Sequence, residues 1–187
     1  MPEIEKTVAA LNVILKEVFD VNGIPTLWHG LAEIQPYNEN QNIPMLLPNN
    51  KEGEQAIFDD RYAMVCYHRV LNYAYSDIEG YGEEVMKQET CNLKLVVWAD
   101  PIRCNIDRNR LRDLVAMKIN NMIDPQITGI TQVNVGATGL QMNAKELFNQ
   151  EYNGYTYCIR PSDLFFAVNY SVITDFDQAC YTVCPEC

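Results

Sequence analysis

LKLVVWADPIRCNIDRNRLRDLVAMKINNMI, residues 93–123, contains a strand, a break and a helix in one run. In its first part Leu93, Leu95 and Val97 alternate with their neighbours, which is the two-residue period of a β-strand. The alternation extends back through VMKQETCN, and an Asp-Pro pair follows it. The sequence therefore predicts a strand over 85–99 that ends at this pair.

The second part of the stretch has the spacing of a helix. Asp107 stands at the position of an N-cap, and Asp124 and Pro125 mark the stop. Apolar residues lie three and four apart between them, at Leu111, Leu114, Val115, Ile119, Met122 and Ile123. Basic residues fall largely on the opposite face, at Arg108, Arg110, Arg112 and Lys118. We expect this helix to lie on a sheet with its basic side outward.

The same two periodicities predict the rest of the fold. In chain order the predicted elements are a helix at 3–19, strands at 26–34, 61–76 and 85–99, the helix after Asp107, a strand within 127–138, a helix at 143–150 and a strand at 164–176. The strands at 61–76 and 85–99 are expected to pair. This order predicts an α+β fold: a mixed or antiparallel sheet of about four to five strands with a long β-ribbon, flanked by an N-terminal helix and a central helix.

Two segments lack a period. Residues 35–54 contain three prolines and many asparagines, and they surround a short apolar run, Ile43 to Leu47. Loops of this length are uncommon inside a domain, so we expect an extended arm that buries the apolar run against a partner. The chain is thus predicted to be one domain, 1–187, with an arm at 35–54 and a C-terminal tail at 177–187.

Composition excludes several classes. With 48% hydrophobic and 21% charged residues the chain is expected to be globular, and no apolar stretch approaches the roughly 18 residues that a membrane span needs. The first residues mix charges with apolar residues, which disfavours a signal peptide. A net charge of −11 argues against wrapping nucleic acid. We expect a soluble protein made in a cytoplasm.

Enzymatic motifs are missing from the sequence. No Gly-rich loop ends in Gly-Lys-Ser or Gly-Lys-Thr, and no Gly-x-Ser-x-Gly elbow is present. The two histidines, His29 and His68, lie inside predicted strands, whereas general bases are usually held on loops over a cleft. Both are therefore predicted to be structural, and the chain is not expected to be an enzyme or to bind a cofactor.

The tail CYTVCPEC is the one constellation with chemical character. A redox role is disfavoured because a Cys-x-x-Cys pair depends on a following helix to lower the thiol pKa, and none is predicted there. Zinc is the better chemical candidate, with Cys158 as a fourth thiolate beside Cys180, Cys184 and Cys187. The commoner alternative is a tail whose thiols act as small apolar side chains.

The order of elements resembles the tail-terminator and head-to-tail connector proteins of tailed bacteriophages. The N-terminal amphipathic helix, the ribbon with an arm before it, the strand-to-helix unit at 93–123 and the closing strand LFFAVNYSVITDF carry the resemblance. It covers nearly the whole chain and rests on element order, without a diagnostic motif. Proteins of that family are small α+β proteins that form rings.

The resemblance implies a non-enzymatic virion protein that is assembled in the bacterial host cytoplasm. It would form a homo-oligomeric ring at the head-tail junction or tail end, contacting portal, adaptor or tail-tube proteins while DNA passes through an acidic lumen without specific binding. Contacts between copies are expected at Ile43, Met45, Leu46, Leu47, Tyr73, Tyr75 and Tyr81. The alternatives are a cytoplasmic protein that binds zinc through its cysteine cluster and a plain interaction domain.

Overall fold

Four helices and six strands follow one another along the part of the chain that the structure, a computed structural model, describes. The described residues are 2–20, 25–46, 54–59, 61–78, 86–104, 107–120, 130–141, 143–154 and 163–176. The helices are α1 (Pro2–Asp20), α2 (Pro101–Cys104), α3 (Arg108–Asn120) and α4 (Ala144–Glu151). The strands are β1 (Thr26–Asn38), β2 (Gln41–Leu46), β3 (Met64–Ile78), β4 (Met86–Ala99), β5 (Ile130–Gln141) and β6 (Leu164–Phe176).

The strands form one mixed sheet in the order β2-β1-β3-β4-β6-β5. The β1–β3 pair is parallel and the other neighbouring pairs are antiparallel. With an N-terminal helix and a central helix beside this sheet, the predicted α+β class is confirmed. β3 and β4 pair along their length, but β6 pairs with β4 over the same span, from Ala99 to Lys87. The two strands are thus central members of the sheet and do not stand apart as a ribbon.

One face of the sheet is covered by α1 and α3. The sequence predicts an apolar stripe on α1 at Ile4, Val8, Leu11, Leu15 and Val18; the first four are buried, and the side chain of Val18 lies outside the described ones. On α3 the residues Leu111, Val115 and Ile119 are buried. Both helices pack on alternate residues of the central strands, such as Cys66, Leu95 and Phe166. This face is the larger of two hydrophobic cores.

The opposite face carries an aromatic core centred on Trp98. Its indole ring lies 5.2 to 5.7 Å, centroid to centroid, from four other rings, those of Phe58, Phe148, Tyr152 and Phe165. The indole nitrogen donates a hydrogen bond to the buried Asp163 carboxylate, so the one polar atom of this ring is satisfied. α4, the helix predicted at 143–150, supplies Phe148 to this core. Asn143 caps the helix by accepting from the Glu146 amide.

The predicted arm is wrong for residues 35–46, which form two paired strand segments, 35–38 and 41–46, joined by a turn. Gln35 pairs with Ile43 across the β1–β2 hairpin, and this register turns Ile43 toward the aromatic core. The hairpin turn also packs on Gly154, where a Cβ would lie 2.1 Å from the Asn40 carbonyl oxygen. The Asn42 amide donates to the Asn153 carbonyl at 2.8 Å. The many prolines and asparagines of this segment give it no strand-like pattern. β2 is stabilised by pairing with β1 and by the contact with Asn153 and Gly154, over a hundred residues away, and neither interaction is visible in the local sequence. The 177–187 tail and residues 47–53 lie outside the described part.

Trp98→Ala should destabilise the fold by about 3–5 kcal/mol, because it removes a buried ring that contacts four other aromatic rings of the second core. Chemical unfolding followed by far-ultraviolet circular dichroism measures this. Val13→Ala is the matched control: Val13 is 59% exposed on α1, so its substitution should change the free energy of unfolding by under about 0.5 kcal/mol. Equal losses of unfolding free energy in both variants would contradict a stabilising role for Trp98 in the aromatic core.

Candidate functional site

An open strand edge is the main surface feature of the sheet. The β1–β3 pairing ends at Leu31 and His68, after a register shift between Trp28 and Leu31, and β1 continues with β2 alone. Beyond that point β3 runs on for ten residues, 69–78, with β4 on one side. No strand of the described part lies on the other side. A strand edge with no neighbouring strand is a template for another strand.

Side chains along this edge are exposed and largely apolar. All five residues from Leu71 to Tyr75 are exposed, with Leu71 at 42%, Tyr73 at 38% and Tyr75 at 69%. Leu71 is the extra residue of a bulge against β4. Tyr73 pairs with the buried Cys91, so both tyrosines project from the helix-covered face. Tyrosine is enriched in protein interfaces, and a run of this kind marks a contact surface.

The structure brings only two of the predicted contact residues to this surface, Tyr73 and Tyr75. Ile43 is fully buried in its own protomer, so its prediction as a contact between copies is wrong. Met45 and Leu46 are half-buried and pack against the aromatic core of the same chain. Leu47 and Tyr81 lie outside the described residues. Sequence reasoning missed Leu71, because nothing in the local pattern signals a bulge.

The two ends of the sheet differ in charge. α3 packs on β5 and β6, and residues 101–120 contain five Arg and Lys against two Asp. The β1–β2 hairpin forms the other end, and residues 26–59 contain five Asp and Glu against one Lys. Arg110 of α3 is exposed at one end, and Glu33 and Glu39 are exposed at the other. Contact between unlike ends of two copies would be electrostatically favourable.

A buried chain of hydrogen bonds joins α1, β1, β3 and β6. The Asn12 side chain donates to the His29 carbonyl at 2.8 Å, so its oxygen faces His68 and accepts from Nε2 at 2.7 Å. His68 Nδ1 is then unprotonated and accepts from the Tyr170 hydroxyl at 2.7 Å. Burial lowers the pKa of His68 from 6.5 to about 3, in agreement with a neutral ring. The structure thus places His68 in a structural role, as predicted.

A groove of about 400 Å³ opens beside this chain, at the bulge of β1. Trp28, Gly30 and Leu46 contribute to its wall, with Glu5 and Glu54 on the lining as carboxylates. His29 borders it and is 8% exposed. The lining residues offer no nucleophile paired with a base, so the groove suits contact with a polar or cationic side chain better than catalysis.

A buried carboxylate, that of Glu151 at the end of α4, bonds to residues of β3 and β4 beside the aromatic core. Glu151 is fully buried and accepts from Arg69 at 2.7 Å, from Lys94 at 3.2 Å and from the Tyr67 hydroxyl at 3.2 Å. Arg69 and Lys94 are direct cross-strand partners. Glu151 follows Leu147 and Phe148 on one face of α4, and this helical spacing is the sequence signal that could have located it.

The described cysteines have no reactive setting. Cys66, Cys91 and Cys104 are buried free thiols. Burial raises the pKa of Cys66 well above its usual value and that of Cys104 to about 11, so neither is a thiolate at neutral pH. Cys158, Cys180, Cys184 and Cys187 lie outside the described residues, and the zinc site stays a prediction. The described side chains contain no group of three or more potential metal ligands.

Glu151→Gln should cost about 3–5 kcal/mol of unfolding free energy, because it leaves Lys94 buried without its counter-charge. Adding Lys94→Met to Glu151→Gln should recover part of that loss, since the second change removes the uncompensated ammonium. Thermal and urea unfolding of the single and double variants measure this. A double variant less stable than Glu151→Gln alone would show that Lys94 does not depend on this carboxylate.

Acidification should weaken the fold through His68. Its pKa is about 3 in the folded chain and about 6.5 when unfolded, so below pH 6.5 the unfolded state binds a proton that the folded state does not. The free energy of unfolding therefore falls with decreasing pH, by up to about 1.4 kcal/mol per pH unit from this group. Urea unfolding between pH 7 and 4.5 should show a shallower slope for His68→Gln than for wild type. Parallel slopes would contradict a neutral buried ring.

Comparison with known proteins identifies no relative: no protein-family model matches the chain, and no curated protein matches it significantly. Among the helices described, none has the length and apolar character needed to cross a membrane. The surface and the charges of the sheet are therefore the features from which a function can be proposed.

Proposed function

We propose that this chain is a structural virion protein of a tailed bacteriophage that assembles into a homo-oligomeric ring at the head-tail junction or tail end. It acts in assembly and in DNA passage and has no enzymatic role. The observation that carries this proposal is the exposed apolar edge of β3, Leu71 to Tyr75. An edge of this kind is costly in a monomer, because it invites strand pairing with other molecules.

Self-association accounts for the exposed side chains. Tyr75 is 69% exposed although it sits in a strand, and Leu71 occupies a bulge that projects it from the ladder. Burying such residues in a contact removes apolar area from water, at roughly 25 cal/mol per Å² before the costs of association. The two tyrosines lose little conformational freedom when they become ordered. A second copy of the chain supplies a partner of fixed geometry.

The opposite charges of the two ends of the sheet favour a head-to-tail contact between copies, and hence a ring. A two-fold contact puts identical patches together, so it would place basic α3 near basic α3, or the acidic hairpin near its own copy. A head-to-tail contact instead places Arg110 on α3 of one copy toward Glu33 and Glu39 of the next. Head-to-tail contacts close into rings when the rotation permits.

Acidic composition suits a channel for DNA. Twenty-five Asp and Glu against fourteen Lys and Arg give the chain a net charge of −11, and carboxylates lining a lumen would repel the phosphate backbone. DNA could then slide without specific binding. Portal, adaptor and tail-tube proteins are the partners expected above and below such a ring, inside the virion.

Ring assembly should depend on the charge of the two sheet ends. The purified protein, alone or with portal and tail proteins, should give closed rings by electron microscopy and a matching mass by light scattering. Reversing α3 with Arg110→Glu and Lys118→Glu should prevent assembly, because it brings like charges together. Reversing the hairpin with Glu33→Lys and Glu39→Lys should do the same.

Two matched tests use a mixture of the two charge-reversed variants and a charge change away from both ends of the sheet. Mixing the two reversed variants should restore rings, since every contact then joins unlike charges. Lys6→Glu, the same kind of charge change at an exposed position of α1, should leave assembly intact. The proposal would be wrong if the wild-type protein stayed monomeric at all concentrations and bound no portal or tail protein.

A further inference from the structure

We propose that the groove between α1 and β1 binds a guanidinium group on an apolar stem, the chemistry that an arginine side chain or a small alkylguanidine presents. The groove has a volume of about 400 Å³, which lies within the range of sites that hold small ligands. Three parts of the chain line it: α1, the first half of β1, and residues at the end of β2 and just beyond. This site is independent of the proposed ring.

The wall formed by α1 is fixed before any ligand arrives. One flank of the helix lines the groove with Glu5, Ala9 and Asn12, spaced four and three residues apart. The Asn12 side chain donates to the His29 carbonyl at 2.8 Å and accepts from His68 Nε2 at 2.7 Å. These two bonds hold the helix against the strands at the bulge of β1. A ligand therefore enters a preformed site, which lowers the ordering cost of binding.

The segment after β2 adds a second carboxylate to the lining. The Leu46 amide donates to the Glu54 carbonyl at 2.8 Å, and Met45 forms a bridge with Gln55. These backbone contacts place Glu54 beside the end of β2, so both Glu5 and Glu54 reach the groove and each is half-buried. The described lining residues include no Lys or Arg. The groove therefore attracts cations and repels anions.

The remaining lining is aromatic and aliphatic. The Trp28 indole nitrogen donates to the Thr26 hydroxyl at 2.9 Å, so the one polar atom of this ring is satisfied within β1. What the indole offers a ligand is its π surface, to which cations are attracted. Leu27, Leu31 and Leu46 add apolar surface beside it. A ligand with a charged end and an apolar stem matches both parts of the lining.

A guanidinium fits this lining better than a metal ion or an ammonium group. Ca²⁺ takes about six to eight oxygen ligands, and the described side chains contain no group of three or more potential metal ligands. An ammonium is compact and strongly hydrated, whereas a guanidinium is planar, weakly hydrated and stacks on aromatic rings. It also pairs with a carboxylate through two parallel hydrogen bonds. Two carboxylates and an indole therefore favour the guanidinium.

Gly30 keeps part of the groove open. It is exposed on the lining, and a Cβ built on it would meet no atom within 4 Å. Its backbone is not in the left-handed region, which among the described glycines only Gly154 adopts. A larger side chain at position 30 would therefore take up room in the groove at little cost to the fold. This makes Gly30 the place to block the site.

Fluorine NMR of the full-length chain labelled with 5-fluorotryptophan measures binding. The chain has two tryptophans: Trp28 lines the groove, and Trp98 is 2% exposed in the aromatic core. Butylguanidinium should shift the Trp28 signal with a Kd of about 1 mM or below and leave the Trp98 signal in place. Butylurea is planar, similar in shape and uncharged, so it should cause no shift. Butylammonium should bind more weakly than butylguanidinium.

Variants at the groove separate specific binding from general attraction to an acidic protein. Gly30→Leu should abolish the Trp28 shift. Glu5→Gln should weaken binding about threefold to fivefold, the loss expected for one partly exposed charge pair. Glu39→Gln removes the same charge at an exposed position of the hairpin turn, off the described lining, and should bind as wild type does. Urea unfolding checks that each variant keeps its fold. Glu5→Gln leaves β1 untouched, so it tests the site even where Gly30→Leu costs stability.

Equal binding of butylguanidinium and butylurea would overturn the proposal, and so would wild-type affinity in Glu5→Gln or in a folded Gly30→Leu variant. The absence of any shift with butylguanidinium would overturn it as well. N-acetylarginine methylamide distinguishes the two sources of the group. Tighter binding than that of butylguanidinium indicates an arginine side chain of a protein, and weaker binding indicates a free alkylguanidine. Ring assembly is measured separately, so its failure leaves this site standing.

Discussion

The departure of β1 from β3 after Leu31 is the constraint on which the surface of this protein depends. Two strands that begin as a parallel pair separate at the bulge beside Gly30. From there β1 turns to the hairpin with β2, and β3 continues with one neighbour. The open edge, the acidic end of the sheet and the groove beside α1 are all consequences of that separation.

Buried polar groups hold the separation point in place. Asn12 reaches from α1 to the His29 carbonyl on β1 and to the His68 ring on β3, so one side chain joins three elements at the bulge. Its hydrogen bonds leave a single arrangement of the neutral imidazole, with Tyr170 closing the other side. Networks of this kind specify one geometry because an unsatisfied member would be costly in the interior.

Two cores of different character stabilise the sheet from its two sides. The helix-covered face is aliphatic and long, and the aromatic face is short, since α4 and residues 54–59 cover only the end of the sheet near Trp98. Glu151 lies where that cover stops, with Arg69 and Lys94 around it. Beyond this charged group the same face is polar: Asn92 donates to Asn72 at 2.5 Å and accepts from Ser171 at 2.6 Å. The sheet thus changes from a packed interior to a solvent-facing surface along its own strands.

Local periodicity determined most of the elements from the sequence alone. Strands buried on both faces and helices with an apolar stripe have patterns that depend on near neighbours, which is why β4, β6, α1 and α3 were predicted close to their observed bounds. The N-cap at Asn143 also has a local signal, because the Glu146 amide from which its side chain accepts lies three residues away. The structural role of His68 was likewise predicted from local pattern, because the residue lies inside a predicted strand.

Tertiary structure alone decided the hairpin and the open edge. Ile43 looked like an arm residue because its core partners, among them Trp98 and Phe165, are distant in sequence. Whether β3 is covered at 69–78 depends on the path of β1, some forty residues earlier, and no local pattern records that path. The sequence by itself thus determined most of the strands and helices, though not β2, through interactions between near neighbours. The fold decided which of them face another molecule, because strand order and edges arise from contacts between distant parts of the chain.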